Sequence, residues 1–292
     1  MRLQTVSLHV LLLFALGSCV PLFGAESPTT EIPFKLHDGF AIVVRGAIGN
    51  QENLSFLVDT GAVPSAVHQR LARKLNLRGL SEEISVVNRS RSVERVTLPS
   101  MRIGPLEFPP VSAVVVDLAP IENRLGIRLD AIIGLDVLGS QNFTIDYRSR
   151  RLLTGPAGGA GDAIPFELQM EAGAPYVVVS MEMNSQAVRL LLDTGSDGLT
   201  LFAARVRERM PSFGASVAGK DVSANGAYAV ERIVLSKVRL GQITRSTLQA
   251  AAIPSPASAT RDFDGLLGPV SLGITRIAFD FAHRKIYFEV NK

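Results

Sequence analysis

The sequence predicts an all-β protein built from two homologous lobes that share a cleft. Three observations lead to this prediction. Glycine and β-branched residues are frequent, whereas long stretches of helical periodicity are rare. The second half of the chain repeats motifs of the first half in the same order. A short phrase with an acidic residue occurs once in each half, at equivalent points of the repeat.

The composition argues against several classes of function and of site. The 292 residues are 47% hydrophobic, which is enough apolar material for one large domain or two ordinary ones. The formal net charge is only +3, and no Lys/Arg run is interleaved with aromatic residues, so we expect no nucleic-acid binding. The single cysteine excludes an internal disulfide, and four scattered histidines offer no metal-ligand spacing. We therefore expect neither a metal nor another cofactor.

The first segment, residues 1–19, has the features of an export signal. A positive charge precedes an apolar stretch that is too short to span a membrane. The segment ends in Leu16-Gly17-Ser18-Cys19, which resembles the bacterial lipobox, whose cysteine becomes lipidated. This predicts an exported outer-membrane lipoprotein anchored through Cys19, with residues 20–31 as a tether. The alternative is ordinary signal cleavage after Ala25, which gives a soluble periplasmic protein.

Residues 32–154 are predicted to form the N-terminal lobe from short strands and turns. Helical spacing is found after Gly61, where Val67, Leu71 and Leu75 place apolar residues on one face and predict a helix. The predicted strands cover residues 40–48, 54–58, 96–103 and 111–116, and a hairpin covers residues 143–153.

A glycine-rich linker at residues 155–162 separates this lobe from the C-terminal lobe, residues 163–292. The repeat itself is the argument for two lobes, because matched residues recur at one interval. Separations of 134 residues relate the pairs Asp59 and Asp193, Asp130 and Asp264, Gly134 and Gly268, and Asp146 and Asp280. Fused copies of one fold usually pack as a pseudo-symmetric pair, so we expect the cleft at their junction.

The two acidic phrases are Phe56-Leu57-Val58-Asp59-Thr60-Gly61-Ala62 and Leu190-Leu191-Leu192-Asp193-Thr194-Gly195-Ser196. In each phrase an apolar run, typical of a buried strand, ends in an acid. Burial of a carboxylate is costly unless it has a partner or a function. Two carboxylates at hydrogen-bond distance share one proton over a wide pH range. The ionised member can then take a proton from water while the protonated member donates to a carbonyl.

The other residues of the phrases have supporting roles in this hypothesis. The hydroxyl groups of Thr60 and Thr194 can form hydrogen bonds across the junction of the lobes. Gly61 and Gly195 allow a sharp turn and a close approach of backbone N–H groups to the carboxylates.

The phrase Asp-Thr-Gly-Ala/Ser after an apolar run resembles the active site of pepsin/retropepsin-like aspartic peptidases. The resemblance is strongest to bacterial retropepsin-like proteins with two lobes in one chain, and it covers approximately residues 32–290. Ile132-Ile133-Gly134 and Leu266-Leu267-Gly268 resemble the family segment that packs behind the acids. The resemblance implies a bilobal, β-barrel-like acid protease fold with Asp59 and Asp193 as catalytic residues. It also implies an endopeptidase that cleaves a peptide or protein substrate with an activated water, without metal or covalent intermediate.

Because one chain carries both copies, we expect a complete monomer that contains an intramolecular pseudo-dimer. The family covers its cleft with a β-hairpin flap. Matching Val93-Glu94-Arg95 to Val230-Glu231-Arg232 places the tips of possible flaps near Asn88 and Asn225. Asn225-Gly226 favours a hairpin turn. Tyr228 is either a flap tyrosine or an ordinary surface or packing residue.

Three other hypotheses assign no catalysis to the repeat. The two acids could be buried capping residues of a decayed enzyme. The protein could be an envelope lipoprotein that binds peptides without cleaving them, or one in which the repeat serves only stability. Both phrases are intact, and two unpaired buried acids would cost several kcal/mol, so an active peptidase is the leading hypothesis.

Overall fold

The structure is a computed structural model that describes residues 29–86, 89–156, 158–159, 163–171, 173–207, 209–210, 216–223, 226–253 and 262–291. Over these residues the chain is mostly β, with two lobes, which confirms the predicted fold class. The predicted signal and lipidation residue Cys19 lie outside the described residues, as do Asn88, Asn225 and half of the predicted linker. No helix in the described ranges is long and apolar enough to cross a membrane.

The first half of the chain contains short strands and three short helices among the described residues. Its elements are β1 (Thr30–His37), β2 (Ala41–Ile48), β3 (Gln51–Val58), β4 (Ala66–His68), α1 (Gln69–Lys74), β5 (Leu80–Val86), β6 (Arg89–Leu98), β7 (Met101–Ile103), β8 (Leu106–Phe108), β9 (Val111–Val116), α2 (Ala119–Leu125), β10 (Ala131–Ile133), α3 (Leu135–Leu138), β11 (Phe143–Asp146) and β12 (Arg151–Thr154).

The second half repeats this arrangement with longer hairpin strands. Its elements are β13 (Ala163–Pro165), β14 (Glu167–Glu171), β15 (Ala174–Met183), β16 (Gln186–Leu192), β17 (Leu199–Phe202), α4 (Ala203–Val206), β18 (Val217–Ser223), β19 (Gly226–Leu240), β20 (Ile243–Ile253), β21 (Gly265–Leu267), a 3-10 turn (Pro269–Leu272), β22 (Ile274–Asp280) and β23 (Lys285–Val290).

The two lobes have the same strand order. In the first lobe the order is β2-β3-β10-β4-β9-β6-β5, and in the second it is β15-β16-β21-β17-β20-β19-β18. The strand that leads to each acid pairs in parallel with the strand of the apolar-apolar-Gly phrase, as β3 with β10 and β16 with β21. The sequence repeat is therefore a repeat of topology.

An antiparallel sheet joins the lobes, in the order β13-β23-β22-β11-β12-β1. Its central pair, β11 and β22, comes from different lobes, with Phe143 opposite Phe279 and Thr144 opposite Ala278. The rings of Phe143 and Phe279 stack with their centroids 4.5 Å apart. β1 belongs to both sheets, because its first half pairs with β12 and its second half with β2. The interface between lobes is thus a continuous part of the β structure.

Two smaller apolar clusters lie one in each lobe, apart from the main core. One contains Phe40 and Leu57 of the first lobe, and the other contains Leu191 and Phe202 of the second. Leu57 and Leu191 precede the two acids by the same number of residues. These clusters therefore place apolar side chains beside the acids in both lobes.

The helix predicted after Gly61 is shorter than its apolar spacing indicated. Val67 lies in strand β4, where it pairs with Ala131 and Val115, and α1 begins only at Gln69. Val67 and Leu71 are both buried. A buried β-branched residue fits a strand as well as a helix, so apolar spacing alone did not locate the boundary.

Candidate active site

Each acid of the repeated phrase stands at the end of a buried strand. β3 leads into Asp59 and β16 leads into Asp193, and both strands are buried at this end. The N–H of Asp59 donates to the carbonyl of Ile133 at 3.0 Å, and the N–H of Asp193 donates to the carbonyl of Leu267 at 2.9 Å. The parallel neighbours β10 and β21 therefore fix the point at which each acid leaves its sheet.

Thr60 and Thr194 are hydrogen-bonded to each other's loops across the junction of the lobes. The N–H of Thr60 donates to Thr194 Oγ1 at 3.0 Å, and the N–H of Thr194 donates to Thr60 Oγ1 at 3.1 Å. Each hydroxyl in turn donates to a carbonyl of the opposite strand, Thr60 to Leu192 at 2.7 Å and Thr194 to Val58 at 3.1 Å. All four bonds are buried, so they hold the two loops in one mutual position.

The two glycines bring backbone donors to the acids and leave no room for a side chain. The N–H of Gly61 donates to Asp59 Oδ1 at 2.8 Å, and the N–H of Gly195 donates to Asp193 Oδ1 at 2.9 Å. A β-carbon on Gly61 would lie 2.6 Å from Asp193 Cγ, and one on Gly195 would lie 2.5 Å from Asp59 Cγ. Each carboxyl group therefore packs directly against the loop of the other lobe.

The carboxyl groups of Asp59 and Asp193 are hydrogen-bonded to each other. Burial raises the pKa of Asp193 well above its ordinary value, and the negative charge of Asp59 raises it further. Burial also raises the pKa of Asp59, but hydrogen bonds from Asp193 and from the N–H groups of Gly61 and Gly195 oppose this rise. Both carboxyl groups are thus harder to ionise than an exposed carboxyl group, and the pair retains one proton between them.

A protein-family model described as aspartyl protease matches residues 44–137 and again residues 179–269. The two matches together cover more than half of the chain. The chain belongs to the aspartyl protease family. The matches fall on the two halves of the repeat, which confirms the resemblance to a duplicated retropepsin-like protein. No curated protein matches the chain.

The two acids lie in a cleft of about 570 Å³ between the lobes. Residues from both lobes line it, and those of the first lobe are mostly apolar whereas those of the second lobe are mostly polar or charged. The apolar residues of the first wall are Phe40, Leu57, Ala62, Val63, Pro64, Ala66, Val114, Val116, Ile121, Leu125 and Ile132, and those of the opposite wall are Leu191, Phe202, Val222 and Leu266. Each acid thus has apolar side chains on its own side of the cleft.

Paired strands are present in both lobes where the sequence predicted possible flaps. β5 and β6 form the first pair, and β18 and β19 form the second. Asn88 and Asn225 lie outside the described residues. Tyr228 lines the cleft and packs against the apolar cluster of the second lobe, so it is more than a surface residue. Burial and the charges of Asp221 and Asp193 raise the pKa of its hydroxyl.

Charged residues that the sequence analysis did not single out also line the cleft. Arg124 on α2 lies 3.5 Å from Asp197, which is two residues after Gly195 in the opposite lobe. Arg232 forms an ion pair with Asp221 on the second hairpin, while the neighbouring Lys220 has no carboxylate partner among the described residues. Two residues in the sequence could have located α2, the helix that carries Arg124. Pro120 lies in its first turn, where proline is favoured, and Gly126 ends it in the left-handed conformation that glycine adopts readily.

The described residues contain no group of three or more His, Cys, Asp or Glu side chains that could hold a metal ion. The geometry of the site unites six predicted residues: Asp59, Thr60, Gly61, Asp193, Thr194 and Gly195.

Proposed function

We propose that this protein is an aspartic endopeptidase that hydrolyses peptide bonds with a water molecule held between Asp59 and Asp193. The hydrogen bond between these two carboxyl groups, at the cleft between the lobes, carries the proposal. Two acids that share a proton supply a general base and a general acid at the same place.

The pair holds one proton, and we assign the role of base to Asp59 and the role of acid to Asp193. Asp59, the ionised member, takes a proton from the water as the water oxygen attacks the carbonyl carbon of the substrate. Asp193, the protonated member, donates to the carbonyl oxygen as this carbon becomes tetrahedral. When the C–N bond breaks, the leaving nitrogen takes the proton that Asp59 had accepted, and a hydroxyl group on the former carbonyl carbon gives its proton to Asp193 as the new carboxyl group forms. Asp59 is then ionised and Asp193 protonated again, and no covalent enzyme intermediate forms.

The walls of the cleft suggest the side chains that the substrate presents. An extended peptide places successive side chains on opposite sides, so neighbours of the cleaved bond would meet the walls of different lobes. Phe40 and Ile132 lie on one wall, and Leu191 and Phe202 lie on the other. Burying apolar side chains here stabilises the complex, so we propose a preference for large apolar residues on both sides of the cleaved bond.

The test is cleavage of a peptide library by the full-length protein and by Asp59→Asn and Asp193→Asn. We expect each variant to lose at least about a thousandfold in kcat/KM, because one member of the acid–base pair is missing. Glu107→Gln is the control, since Glu107 is an exposed carboxylate that does not line the cleft. Pepstatin, which mimics the tetrahedral state, should inhibit the wild type.

Two results would overturn the proposal. Wild-type protein that cleaves no peptide between about pH 3 and about pH 8, although it is folded, would not be an endopeptidase. Peptides that bind the wild type and Asp59→Asn equally, without cleavage, would instead support a peptide-binding envelope protein.

We further propose that the protein acts in the bacterial cell envelope, anchored to the outer membrane by a lipid on Cys19. The support is the lipobox-like phrase that ends at the only cysteine of the chain. Cys19→Ala should move the protein from the membrane fraction to the soluble fraction. A mature N-terminus after Ala25, found by mass spectrometry, would contradict the anchor and leave an exported soluble protein.

We propose that the active form is a monomer, because one chain contributes both acids of the pair. Activity per mass of protein should then stay constant on dilution. A decline in specific activity as the protein is diluted would show that two chains are needed.

A further inference from the structure

A second cavity, of about 690 Å³, lies in the N-terminal lobe and shares no lining residue with the cleft. It is formed by one face of β1, β2 and β3, by α1, and by the loop before β10. Its lining is strongly basic, with a single carboxylate among the residues that form it. The charged lining residues are Lys35, Arg45, Arg70, Lys74, Arg128 and Asp130.

Four of these cations, Lys35, Arg45, Lys74 and Arg128, form no ion pair with any described carboxylate. Arg45 donates only to neutral acceptors, the carbonyl of Asn53 at 3.0 Å and Ser55 Oγ at 2.9 Å.

The other two charged residues, Arg70 and Asp130, already have partners within the protein. Asp130 accepts from the N–H of Ser55 at 2.9 Å and lies 3.8 Å from Arg70, while Arg70 pairs with Glu122 at 2.9 Å. The cavity therefore holds an excess of positive charge that the protein does not neutralise.

The second lobe contains the equivalent surface and allows a direct comparison. Asp264 accepts from the N–H of Arg189 at 2.9 Å, as Asp130 accepts from the N–H of Ser55 at 2.9 Å. The position opposite Arg189 on the neighbouring strand is Ser180, whereas the position opposite Ser55 is Arg45. Both lobes therefore keep one arginine at this place, on adjacent strands.

Arg45 and Arg189 have neighbours of opposite charge. In the second lobe, Arg189 is held by Glu167 at 2.6 Å and by Asp262 at 2.5 Å. The position of Asp262, two residues before Asp264, corresponds to Arg128, two residues before Asp130.

Strand pairing identifies the counterpart of Glu167. Glu167 pairs with Val178, two residues before Ser180, and Lys35 pairs with Val43, two residues before Arg45. The first lobe thus has cations at both positions where the second lobe has carboxylates.

We propose that this cavity binds a soluble ligand with a phosphate or diphosphate group, whose negative charges take the place of the two missing carboxylates. Arg45 and Arg128 supply planar guanidinium groups whose paired N–H donors match phosphate oxygens. Lys35 and Lys74 supply compact ammonium charges. The cations line a concave space, which suits a group that enters it better than a flat membrane surface.

The probe is inorganic pyrophosphate, titrated calorimetrically into the full-length protein and into the double variant Lys35→Glu/Arg128→Asp. These substitutions give the first lobe the residues of the second, so the new carboxylates have Arg45 as a partner and the variant is expected to fold. We expect pyrophosphate to bind the wild type and to bind the variant at least about tenfold more weakly.

The matched control is Lys237→Glu/Lys285→Glu, which changes the net charge by the same amount at exposed residues outside the cavity. It should weaken binding by less than about threefold, since exposed charges outside the cavity are screened. Equal losses in both double variants would mean general attraction to a basic protein and would overturn the proposal. So would the absence of pyrophosphate binding to the wild type.

A third measurement separates a soluble ligand from a lipid headgroup. The Cys19→Ala protein, which removes any anchoring through Cys19, is mixed with vesicles rich in anionic phospholipid. Binding to vesicles that is lost in Lys35→Glu/Arg128→Asp, without binding of pyrophosphate, would make the cavity a membrane contact and overturn the assignment to a soluble ligand. Pyrophosphate binding without this vesicle effect supports the assignment.

Discussion

Thr144 and Ala278 occupy equivalent positions of the repeat and face each other as antiparallel partners in the sheet that joins the lobes. Two equivalent residues can pair with each other only where a local twofold axis passes between them. Thr60 and Thr194 are related in the same way, because each donates its N–H to the hydroxyl of the other. The sheet and the pair of acids thus share one pseudo-symmetry, which places half of the site on each lobe.

The crossed threonine bonds predict two equivalent and costly substitutions. Thr60→Val removes the bond to the Leu192 carbonyl and the acceptor for the Thr194 N–H, both of which are buried. We expect the free energy of unfolding to fall by about 2–4 kcal/mol, because two buried partners are left without hydrogen bonds. Thr194→Val should cost a similar amount, and urea denaturation measures both.

Thr247→Val is the control for the loss of a hydroxyl, because Thr247 is an exposed strand residue. Its effect should be within about 0.5 kcal/mol. Threonine variants at positions 60 and 194 that match this control, or that differ widely from each other, would contradict the symmetric account.

The close contact of Gly195 with Asp59 predicts that alanine is not tolerated at this position. A β-carbon there would lie 2.5 Å from Asp59 Cγ, so Gly195→Ala must push the carboxyl group away from Asp193. We expect a loss of about a hundredfold or more in kcat, since small displacements of a catalytic group have such effects.

Gly198→Ala is the matched control in the same loop, because a β-carbon at Gly198 meets no atom within 4 Å. It should retain activity within about threefold. The contact argument fails if both alanine variants lose activity equally, or if Gly195→Ala behaves like the wild type.

The raised pKa of Asp193 predicts how stability depends on pH. The folded protein holds a proton on this acid that the unfolded chain releases at a lower pH, so folding binds a proton in this window. This contribution to stability is present below the unfolded value of 3.8 and is lost as the pH rises through the folded pKa. Asp193→Asn, which cannot ionise, should therefore gain stability relative to the wild type as the pH rises from about 4 to about 8. Thermal unfolding of both proteins over this range tests the sign, and a constant difference would contradict it.

The sequence predicted the repeat, the β fold and the six residues of the candidate site because these features repeat in the same order. A chance occurrence of the phrase in one half of the chain would not be expected to recur at the equivalent point of the other half, so the second copy supports the first. The 134-residue interval between Asp130 and Asp264 also marked a structural pair, since both accept the N–H of an equivalent strand residue.

Features present in one lobe only were harder to predict. His68 ends a strand at the start of α1, whereas Phe202 holds the corresponding place in the second lobe. The approach of Arg124 to Asp197 depends on the relative position of the lobes, which no local pattern encodes. Charge reversals such as Arg128 and Asp262 become informative only when the strand register shows which positions correspond.

His68 predicts a pH dependence of the opposite sign to that of Asp193. Its ring is buried, Nδ1 accepts from the N–H of Arg70 at 3.1 Å, and Nε2 lies 2.8 Å from the Arg70 guanidinium. Burial and the charge of Arg70 lower the pKa of His68, although Glu122 and Asp117 oppose this effect. As the pH drops, His68 is therefore protonated in the unfolded chain before it is protonated in the folded protein. The free energy of unfolding falls as the pH drops through 6.5, the pKa of the residue in the unfolded chain.

The variant His68→Asn keeps a side-chain acceptor for the start of α1 but does not titrate. Its stability should decrease less than that of the wild type between about pH 7 and about pH 5, when both are followed by urea denaturation. Over the same range Asp193→Asn should behave in the opposite way: its stability relative to the wild type should decrease as the pH drops. Because the groups that shift His68 and Asp193 are different residues, the two effects should add in the double variant. Parallel curves for the wild type and His68→Asn would show that the ring is protonated equally in the folded and unfolded states.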